Sequence, residues 1–161
     1  MNDNYFDDFV AGRVYEHSAR RTITEADNII LSCLTLNLQP LHIDAEFARN
    51  SMWKQVLVDS MVTIGVIVGI QSVDIIRGTA EGTQWIKEVR FPHPVFHGDT
   101  LRGQTTVLDK HESDRFPDCG VLDLKLEGFN QRDELVMTGT WARVVHKRSA
   151  AGSLPAGYRR S

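Results

Sequence analysis

The sequence predicts an α+β fold in which a curved antiparallel sheet surrounds one long apolar helix. Residues 56–77, VLVDSMVTIGVIVGIQSVDIIR, suggest the helix because they are apolar on almost every side and contain no turn signal. A surface helix has one apolar stripe and one polar face, so this helix is expected to be enclosed. Later segments alternate apolar and polar residues, which is typical of half-buried strands. A sheet wrapped around the helix would bury it on most sides.

Length and charge limit the possible classes of protein. The 161 residues fit one domain, predicted to span residues 1–147 and to be followed by a loosely held C-terminal tail at 148–161. The net charge is -3 with both signs interspersed, so no nucleic-acid partner is expected. The apolar run is shorter than the ~18 to 20 residues of a membrane span, and no signal peptide is visible. We therefore expect a cytoplasmic protein without membrane contact.

Cysteines and histidines give no sign of a metal or redox site. Cys33 and Cys119 lack the paired spacing of zinc or redox motifs, and both are predicted to be reduced, buried thiols. His93 and His97 would face one another only on a helix, and the prolines beside His93 forbid a helix there. No metal or other cofactor is therefore predicted.

The chain is predicted to begin with a strand at 12–21, on which His17 is expected to face solvent. A helix should follow at 25–36, since Thr24 and Asp27 resemble a capping box. Its apolar face is predicted at Ile29, Ile30, Cys33 and Leu34, which recur at helical spacing.

The next segment, NLQPLHID at 37–44, is predicted to be a loop. Pro40 should stop the preceding helix and hold the residue before it in an extended conformation. Asp44 can cap a short helix at 45–50. In the long apolar helix Gly65 and Gly69 lie one turn apart, and we expect strands to approach closely at both.

Four strands are predicted after the long helix. They lie at 84–91, 100–111, 121–130 and 134–146, with turn residues between them. Few residues separate the last two, so these should form an antiparallel hairpin. Together with the early strand they give a five-stranded sheet.

Three segments resemble a known family. They are RTITEAD at 21–27, PLHIDAEFA at 40–48 and PVFHGDTL at 94–101, in this order and with the long helix between the second and third. They are similar to the MaoC-like dehydratases and (R)-specific enoyl-CoA hydratases of the hot-dog fold. The resemblance covers roughly residues 12–147 and implies a single hot-dog domain.

The resemblance also implies catalytic residues. In the family a loop reading Asp-x-Asn-Pro-x-His supplies an Asp and a His that add water across a 2-enoyl thioester. Here His42 matches the histidine, whereas Asn37 stands at the aspartate position and Gln39 at the asparagine position. An amide can orient a water but cannot exchange its proton at neutral pH. We therefore expect His42 alone to perform both proton transfers of a syn addition.

Three further residues could assist, and each has a structural alternative. Asp44 and Asp59 could supply a carboxylate, but capping of the helix that follows is the commoner role of such residues. Ser60 occupies the position where the family offers a backbone N–H to the thioester carbonyl, helped by the helix dipole. Ser60 could also be the N-cap of the long helix.

The resemblance implies a hydro-lyase that hydrates a 2-enoyl-CoA or dehydrates the 3-hydroxyacyl product. The changes at Asn37 and Gln39 suggest a short branched or dicarboxylic acyl group, of the mesaconyl- or itaconyl-CoA type. Coenzyme A would enter as part of the substrate, and the resemblance implies a homodimer or dimer of dimers. The alternatives are an acyl-CoA thioesterase, which would need a carboxylate on the long helix, and a catalytically silent acyl-thioester-binding protein.

Overall fold

The computed structural model describes residues 4–153, which form five strands and four α-helices. The strands are β1 (Val14–Thr22), β2 (Ala80–Arg90), β3 (Thr100–Glu112), β4 (Cys119–Phe129) and β5 (Leu135–His146). The helices are α1 (Glu25–Leu34), α2 (Pro40–Ile43), α3 (Ala45–Asn50) and α4 (Ser60–Ile75). Short 3-10 helices lie at Phe6–Asp8 and Arg148–Ser153.

The five strands form one antiparallel sheet in the order β1-β3-β4-β5-β2. Helix α4 packs against β1, β3, β4 and β5, and Ile67 of α4 is among the residues of the core between helix and sheet. Strands β4 and β5 form a hairpin. Their pairing runs from Cys119 opposite His146 to Phe129 opposite Leu135. The predicted five-stranded sheet, its final hairpin and the long helix are therefore confirmed.

The predicted role of the helix glycines is wrong. A Cβ added at Gly65 or Gly69 would meet no atom within 4 Å, and both glycines are exposed. They share one face of α4 with Met61 and Val73, whose side chains are about half exposed at 48% and 47%. The close approach occurs instead at Gly128 of β4, where a Cβ would lie 2.5 Å from the Cδ1 atom of Ile67. The small residue at this close approach is on the strand, and the face of α4 with Gly65 and Gly69 is exposed.

Helix α1 faces the opposite way from its prediction. The capping box of Thr24 and Asp27 is present, but the buried residues of α1 are Asn28 and Ser32. The predicted apolar face is largely exposed, including Ile30, Cys33 and Leu34. A polar face is buried here because its partners are polar groups from segments far away in the sequence, described below.

The end of α1 also differs from its prediction. The helix ends at Leu34, and Leu36 adopts a left-handed conformation with a φ of 57°. The N–H of Leu36 bonds to the carbonyl of Cys33 and the N–H of Asn37 to that of Ser32, at 3.2 and 2.9 Å. This is a Schellman motif with leucine where glycine is usual. Pro40 therefore does not stop α1 but is the first residue of α2, where its missing N–H costs nothing.

Two expectations about burial are wrong. His17 is buried at 8% exposure on β1, and Cys33 is exposed, whereas Cys119 is buried as predicted and both thiols are free. The predicted tail begins in the 3-10 helix Arg148–Ser153, where Arg148 forms an ion pair with Asp8. Residues 154–161 lie outside the described part. Within residues 4–153, no helix has the length and apolar character to cross a membrane.

Candidate functional site

The N-terminus of α4 is held by a buried carboxylate. Asp59 is the N-cap, 1% exposed, and its Oδ1 accepts a hydrogen bond from the N–H of Met61 at 2.8 Å. The alternative role of Ser60 as the N-cap is therefore wrong, since Ser60 is the first helical residue. The backbone N–H of Ser60 donates to no group among residues 4–153, as is common for the first turn of a helix. It is free to receive an anionic oxygen, which the helix dipole favours.

Asn28 joins three segments around this terminus. Its side chain is fully buried, and its Oδ1 accepts from the N–H of Asp59 at 2.8 Å. Its Nδ2 donates to the carbonyl of His42 at 2.9 Å and to Nε2 of His97 at 3.1 Å, with a longer contact of 3.4 Å to the carbonyl of Leu57. The amide thus fixes α2, the start of α4 and the turn before β3 relative to one another.

Sequence reasoning missed Asn28 and the connection to His97. The available signal was the placement of Asn28 and Ser32 one turn apart on α1, which puts two polar residues on one helix face. Their burial could not be read from that spacing alone, because an exposed polar face has the same pattern.

His42 lies on α2 and is half-buried, whereas a loop was predicted for this segment. Its Nδ1 is 2.9 Å from the carbonyl oxygen of Leu57. A carbonyl can only accept, so Nδ1 must carry the proton of this hydrogen bond. In the neutral ring Nε2 then has the free lone pair, which makes it the atom that can take a proton from water.

Asn37 is oriented by Asp59. Its Nδ2 donates to Asp59 Oδ2 at 2.8 Å, and the hydroxyl of Ser32 lies 3.4 Å from the same oxygen. Because the NH₂ group faces the carboxylate, the Oδ1 of Asn37 is directed away from it and is a hydrogen-bond acceptor. The Schellman motif at Leu36 places Asn37 for this contact.

The other predicted site residues have structural roles. Asp44 caps α3, since its Oδ1 accepts from the N–H groups of Glu46 and Phe47 at 2.9 and 3.0 Å. Gln39 is exposed and is the N-cap of α2 without a side-chain cap bond. Its backbone carbonyl accepts from the N–H of His42 at 2.9 Å.

A cavity of about 160 Å³ opens beside the start of α4. Its walls are mainly apolar and aromatic, with two hydroxyl groups and one titratable side chain, His93. The lining residues are Trp53, Leu57, Val58, Ser60, Thr63, Phe91, Pro92, His93, Pro94, Val95 and Val136. His42 and Asn37 do not line it, but each is bonded to the segment 57–59 that borders it.

The geometry brings three complementary groups to one segment of four residues. His42 and Asn37, which can accept hydrogen bonds from water, are bonded to Leu57 and Asp59. The next residue, Ser60, offers an N–H donor at the helix terminus. Among residues 4–153 no cluster of three or more His, Cys, Asp or Glu side chains is arranged to hold a metal ion. The arrangement suits proton transfer to and from a substrate whose oxygen becomes negative.

The model of the MaoC-like domain family matches residues 8–124, which is most of the chain. This chain belongs to the MaoC-like domain family. The match includes Asn37, His42, the segment 57–60 and the whole of α4.

Two relatives resemble this MaoC-like domain over most of its length. The mesaconyl-CoA hydratase of Cereibacter sphaeroides is 30% identical over 158 residues, which is 94% of this chain and 44% of the relative. The β-methylmalyl-CoA dehydratase of Chloroflexus aurantiacus is 28% identical over 152 residues, 94% of this chain and 43% of the relative. The chain spans about half the length of these curated relatives.

A solved structure of a Mycobacterium tuberculosis protein described as a double hot-dog fold superimposes with a TM-score of 0.80. It is 18% identical, and the match covers 90% of this chain and 44% of the other. This likeness concerns the fold alone. It confirms the predicted α+β hot-dog architecture for the MaoC-like domain.

Proposed function

We propose that this MaoC-like domain is a hydro-lyase that adds water to a 2-enoyl-CoA thioester or removes it from the 3-hydroxyacyl product. The observation that carries the proposal is the hydrogen bond from His42 Nδ1 to the carbonyl of Leu57, at 2.9 Å. It gives the imidazole a fixed tautomer with Nε2 as a base, and Leu57, the partner of His42, is three residues before Ser60. The activities for which the hydratase and dehydratase relatives are named support the same reaction.

In the hydration direction His42 Nε2 takes a proton from water as the oxygen attacks the β-carbon. Asn37 Oδ1 accepts the second hydrogen of this water, so that a lone pair of the water oxygen faces the substrate. Asp59 sets the orientation of the Asn37 side chain, because its carboxylate accepts a hydrogen bond from the NH₂ group. The imidazolium then returns the proton to the α-carbon on the same face, so one residue performs both transfers.

The thioester carbonyl is placed at the N-terminus of α4. As negative charge collects on the carbonyl oxygen in the enolate, the N–H of Ser60 donates a hydrogen bond to this oxygen. The α4 dipole adds to this stabilisation, because the peptide groups of the helix point their positive ends at the same place. Coenzyme A enters as part of the substrate, and the proposed reaction uses no other cofactor.

A thioesterase reaction has less support. It would need a carboxylate free to activate water against the carbonyl. The carboxylate nearest to Ser60 is Asp59, and both of its oxygens already accept hydrogen bonds from the protein. We therefore favour addition to the double bond over hydrolysis of the thioester.

The acyl group and the assembly belong to the same proposal. A short branched or dicarboxylic acyl group of the mesaconyl type is suggested by the named substrates of the two relatives. A homodimer or dimer of dimers is supported by the half-exposed apolar face of α4 at Met61 and Val73. Light scattering of the purified protein measures this oligomeric state directly.

The test is incubation of the protein with a panel of 2-enoyl-CoA esters. Loss of the conjugated thioester absorbance without release of free thiol is the expected result. His42→Ala should lower kcat/KM by about 100- to 10,000-fold, the usual contribution of a general acid–base group. His111→Ala, at an exposed position on β3, is the matched control and should leave the rate unchanged.

Two outcomes would contradict the proposal. Thiol release that depends on His42 would indicate a thioesterase. Binding of esters without any turnover would indicate a silent acyl-thioester-binding protein.

A further inference from the structure

The cavity beside α4 is lined by a single titratable side chain, that of the exposed residue His93. Ser60 lines the same cavity, and Trp53, Phe91 and Val136 contribute apolar surface. An acyl chain whose carbonyl is bound at Ser60 would therefore extend into a mainly apolar space. A terminal carboxylate entering that space would need a charged or hydrogen-bonding partner to offset its lost hydration.

His93 has one ring nitrogen committed and one available. Its Nδ1 lies 3.0 Å from the carbonyl oxygen of Leu135, the first residue of β5, so Nδ1 carries a proton and donates. Nε2 makes no hydrogen bond within residues 4–153. When the ring is protonated, Nε2–H is a donor with a positive charge, and charge-assisted bonds to carboxylates are among the stronger hydrogen bonds in proteins.

The carboxylate of Glu134 is paired with other side chains. Hydrogen bonds from Asn130 and Arg132 lower the pKa of Glu134, with a smaller contribution from His93. Glu134 is bonded to Arg132 at 2.9 Å and to Asn130 at 2.6 Å, and it makes no hydrogen bond to His93 among residues 4–153.

The Thr63 hydroxyl adds a second polar group from α4 to the cavity wall. Ser60 and Thr63 are three residues apart, which corresponds to about 4.5 Å along the helix axis. The cavity of about 160 Å³ therefore has polar groups at Ser60, Thr63 and His93 in otherwise mainly apolar surroundings.

We propose that His93 is a specificity-determining residue, which binds the terminal carboxylate of a dicarboxylic acyl-CoA when the thioester carbonyl lies at Ser60. The assignment rests on the proposed hydro-lyase function, but the binding step can be measured without turnover. It names the substrate class as short enoyl thioesters with a distal carboxylate. Plain short-chain esters would bind without using His93.

The first experiment compares two saturated thioesters that cannot be hydrated, succinyl-CoA and butyryl-CoA. Calorimetric titration near pH 6 should show tighter binding of succinyl-CoA to the unmodified protein. His93→Gln should weaken succinyl-CoA binding by about 10- to 100-fold, the range for loss of a hydrogen bond to a charged group. Binding of butyryl-CoA should not change. His111→Gln, an exposed substitution on β3, is the control.

A charge-retaining variant gives a second readout. His93→Lys carries a positive charge and hydrogen-bond donors, so it should keep the preference for succinyl-CoA that His93→Gln loses. With turnover, KM for mesaconyl-CoA should rise in His93→Gln while kcat is retained.

The outcomes separate this assignment from the proposed function. Equal weakening of both saturated esters in His93→Gln would show a structural role and overturn the assignment. Equal affinity of the unmodified protein for both esters would also overturn it, even if crotonyl-CoA is hydrated. Absence of hydration with every enoyl ester would contradict the hydro-lyase function, whereas a His93-dependent preference for succinyl-CoA would still support the carboxylate site.

Discussion

The two ends of α4 differ in whether a buried polar side chain has hydrogen-bond partners. At the first end Asp59 is 1% exposed, and its carboxylate accepts hydrogen bonds from Met61 and Asn37. Near the other end Gln71 is also 1% exposed, yet neither its amide oxygen nor its amide nitrogen has a partner among the described residues. The same helix therefore has a buried polar side chain with hydrogen-bond partners at one end and a buried polar side chain without them near the other.

We call the part of α4 near Gln71 the unpaired end. His17 on β1 lies beside it and also has a buried nitrogen without a hydrogen-bond partner among the described residues. Its Nε2 is bonded to the hydroxyl of Thr105 at 2.8 Å, but its Nδ1 is 3.7 Å from Asp74 Oδ2, beyond hydrogen-bond distance. Unpaired buried groups weaken a fold, whereas fully paired ones fix a geometry. The comparison favours the Asp59 end as the one that positions side chains for the proposed reaction. Substitutions at the two ends should accordingly have opposite effects.

The largest effect is expected from Asn28→Ala. The change leaves the N–H of Asp59 and the carbonyl of His42 buried without their partner, at a cost of about 2 to 4 kcal/mol in the free energy of unfolding. Urea unfolding followed by circular dichroism measures this. In the folded variant kcat should fall more than KM rises, because His42 loses a constraint on its position.

Asn50→Ala is the matched control. Asn50 is an exposed helical asparagine whose Nδ2 donates to the carbonyl of Glu46, so its loss should cost well below 1 kcal/mol. Equal destabilisation by both substitutions would show that Asn28 is an ordinary surface-like residue and that the paired end has no special role.

Asn37→Asp should also destabilise the paired end. The resemblance to family members with aspartate at this position would suggest a harmless change, but Asn37 Nδ2 lies 2.8 Å from the carboxylate of Asp59. Two carboxylates at this distance repel, which should lower stability by about 1 to 3 kcal/mol at pH 7. The repulsion raises the pKa of one of the pair, so the folded state binds a proton at a higher pH than the unfolded state does. Stability should therefore recover as the pH falls toward 5.

The measurement is urea unfolding of Asn37→Asp and Asn37→Ala at both pH values. Asn37→Ala removes the donor without adding charge, so its destabilisation should not recover at the lower pH in this way. A stable Asn37→Asp variant with higher activity would mean that Asp59 does not constrain position 37.

Much of the fold could be predicted because it depends on local patterns. The alternation in 100–111 and 121–130 marks β3 and β4 to within two residues at each end, and the turn residues after 130 mark the hairpin. The caps at Thr24 and Asp44 were also readable, since each is a contact within three residues of sequence.

The candidate site was less predictable because its contacts are distant in sequence. His42 and Ser60 were found through the resemblance, but Asn28 bonds to His42 across 14 residues and to Asp59, the residue before Ser60, across 31 residues. The apolar pattern of α1 indicated the wrong buried face, since the polar face satisfies the backbone groups of Asp59 and His42. Leu36 in a left-handed conformation has no sequence signal, because glycine is the residue usually found there.

A smaller effect, with the opposite sign, is expected at the unpaired end. Gln71→Met removes two unpaired polar atoms and fills nearly the same volume, so the free energy of unfolding should rise by about 1 kcal/mol. Gln84→Met on β2, at an exposed position, is the control and should change stability little. Clear destabilisation by Gln71→Met would show that Gln71 has polar partners, such as bound water or a second chain, and would remove the contrast between the two ends.

The smallest effect is a pH dependence at His17. Burial lowers the pKa of His17 below the ordinary value for histidine, and the nearby charge of Asp74 raises it by less. Between the lowered pKa and about pH 6.5, the unfolded chain binds a proton at this residue that the folded chain does not. Stability should therefore decrease as the pH falls below about 6.5. His17→Gln should remove this part of the slope, whereas His111→Gln at an exposed site should keep it. Parallel stability curves for the unmodified protein and His17→Gln would show that folding does not change the pKa of His17 and would contradict this prediction.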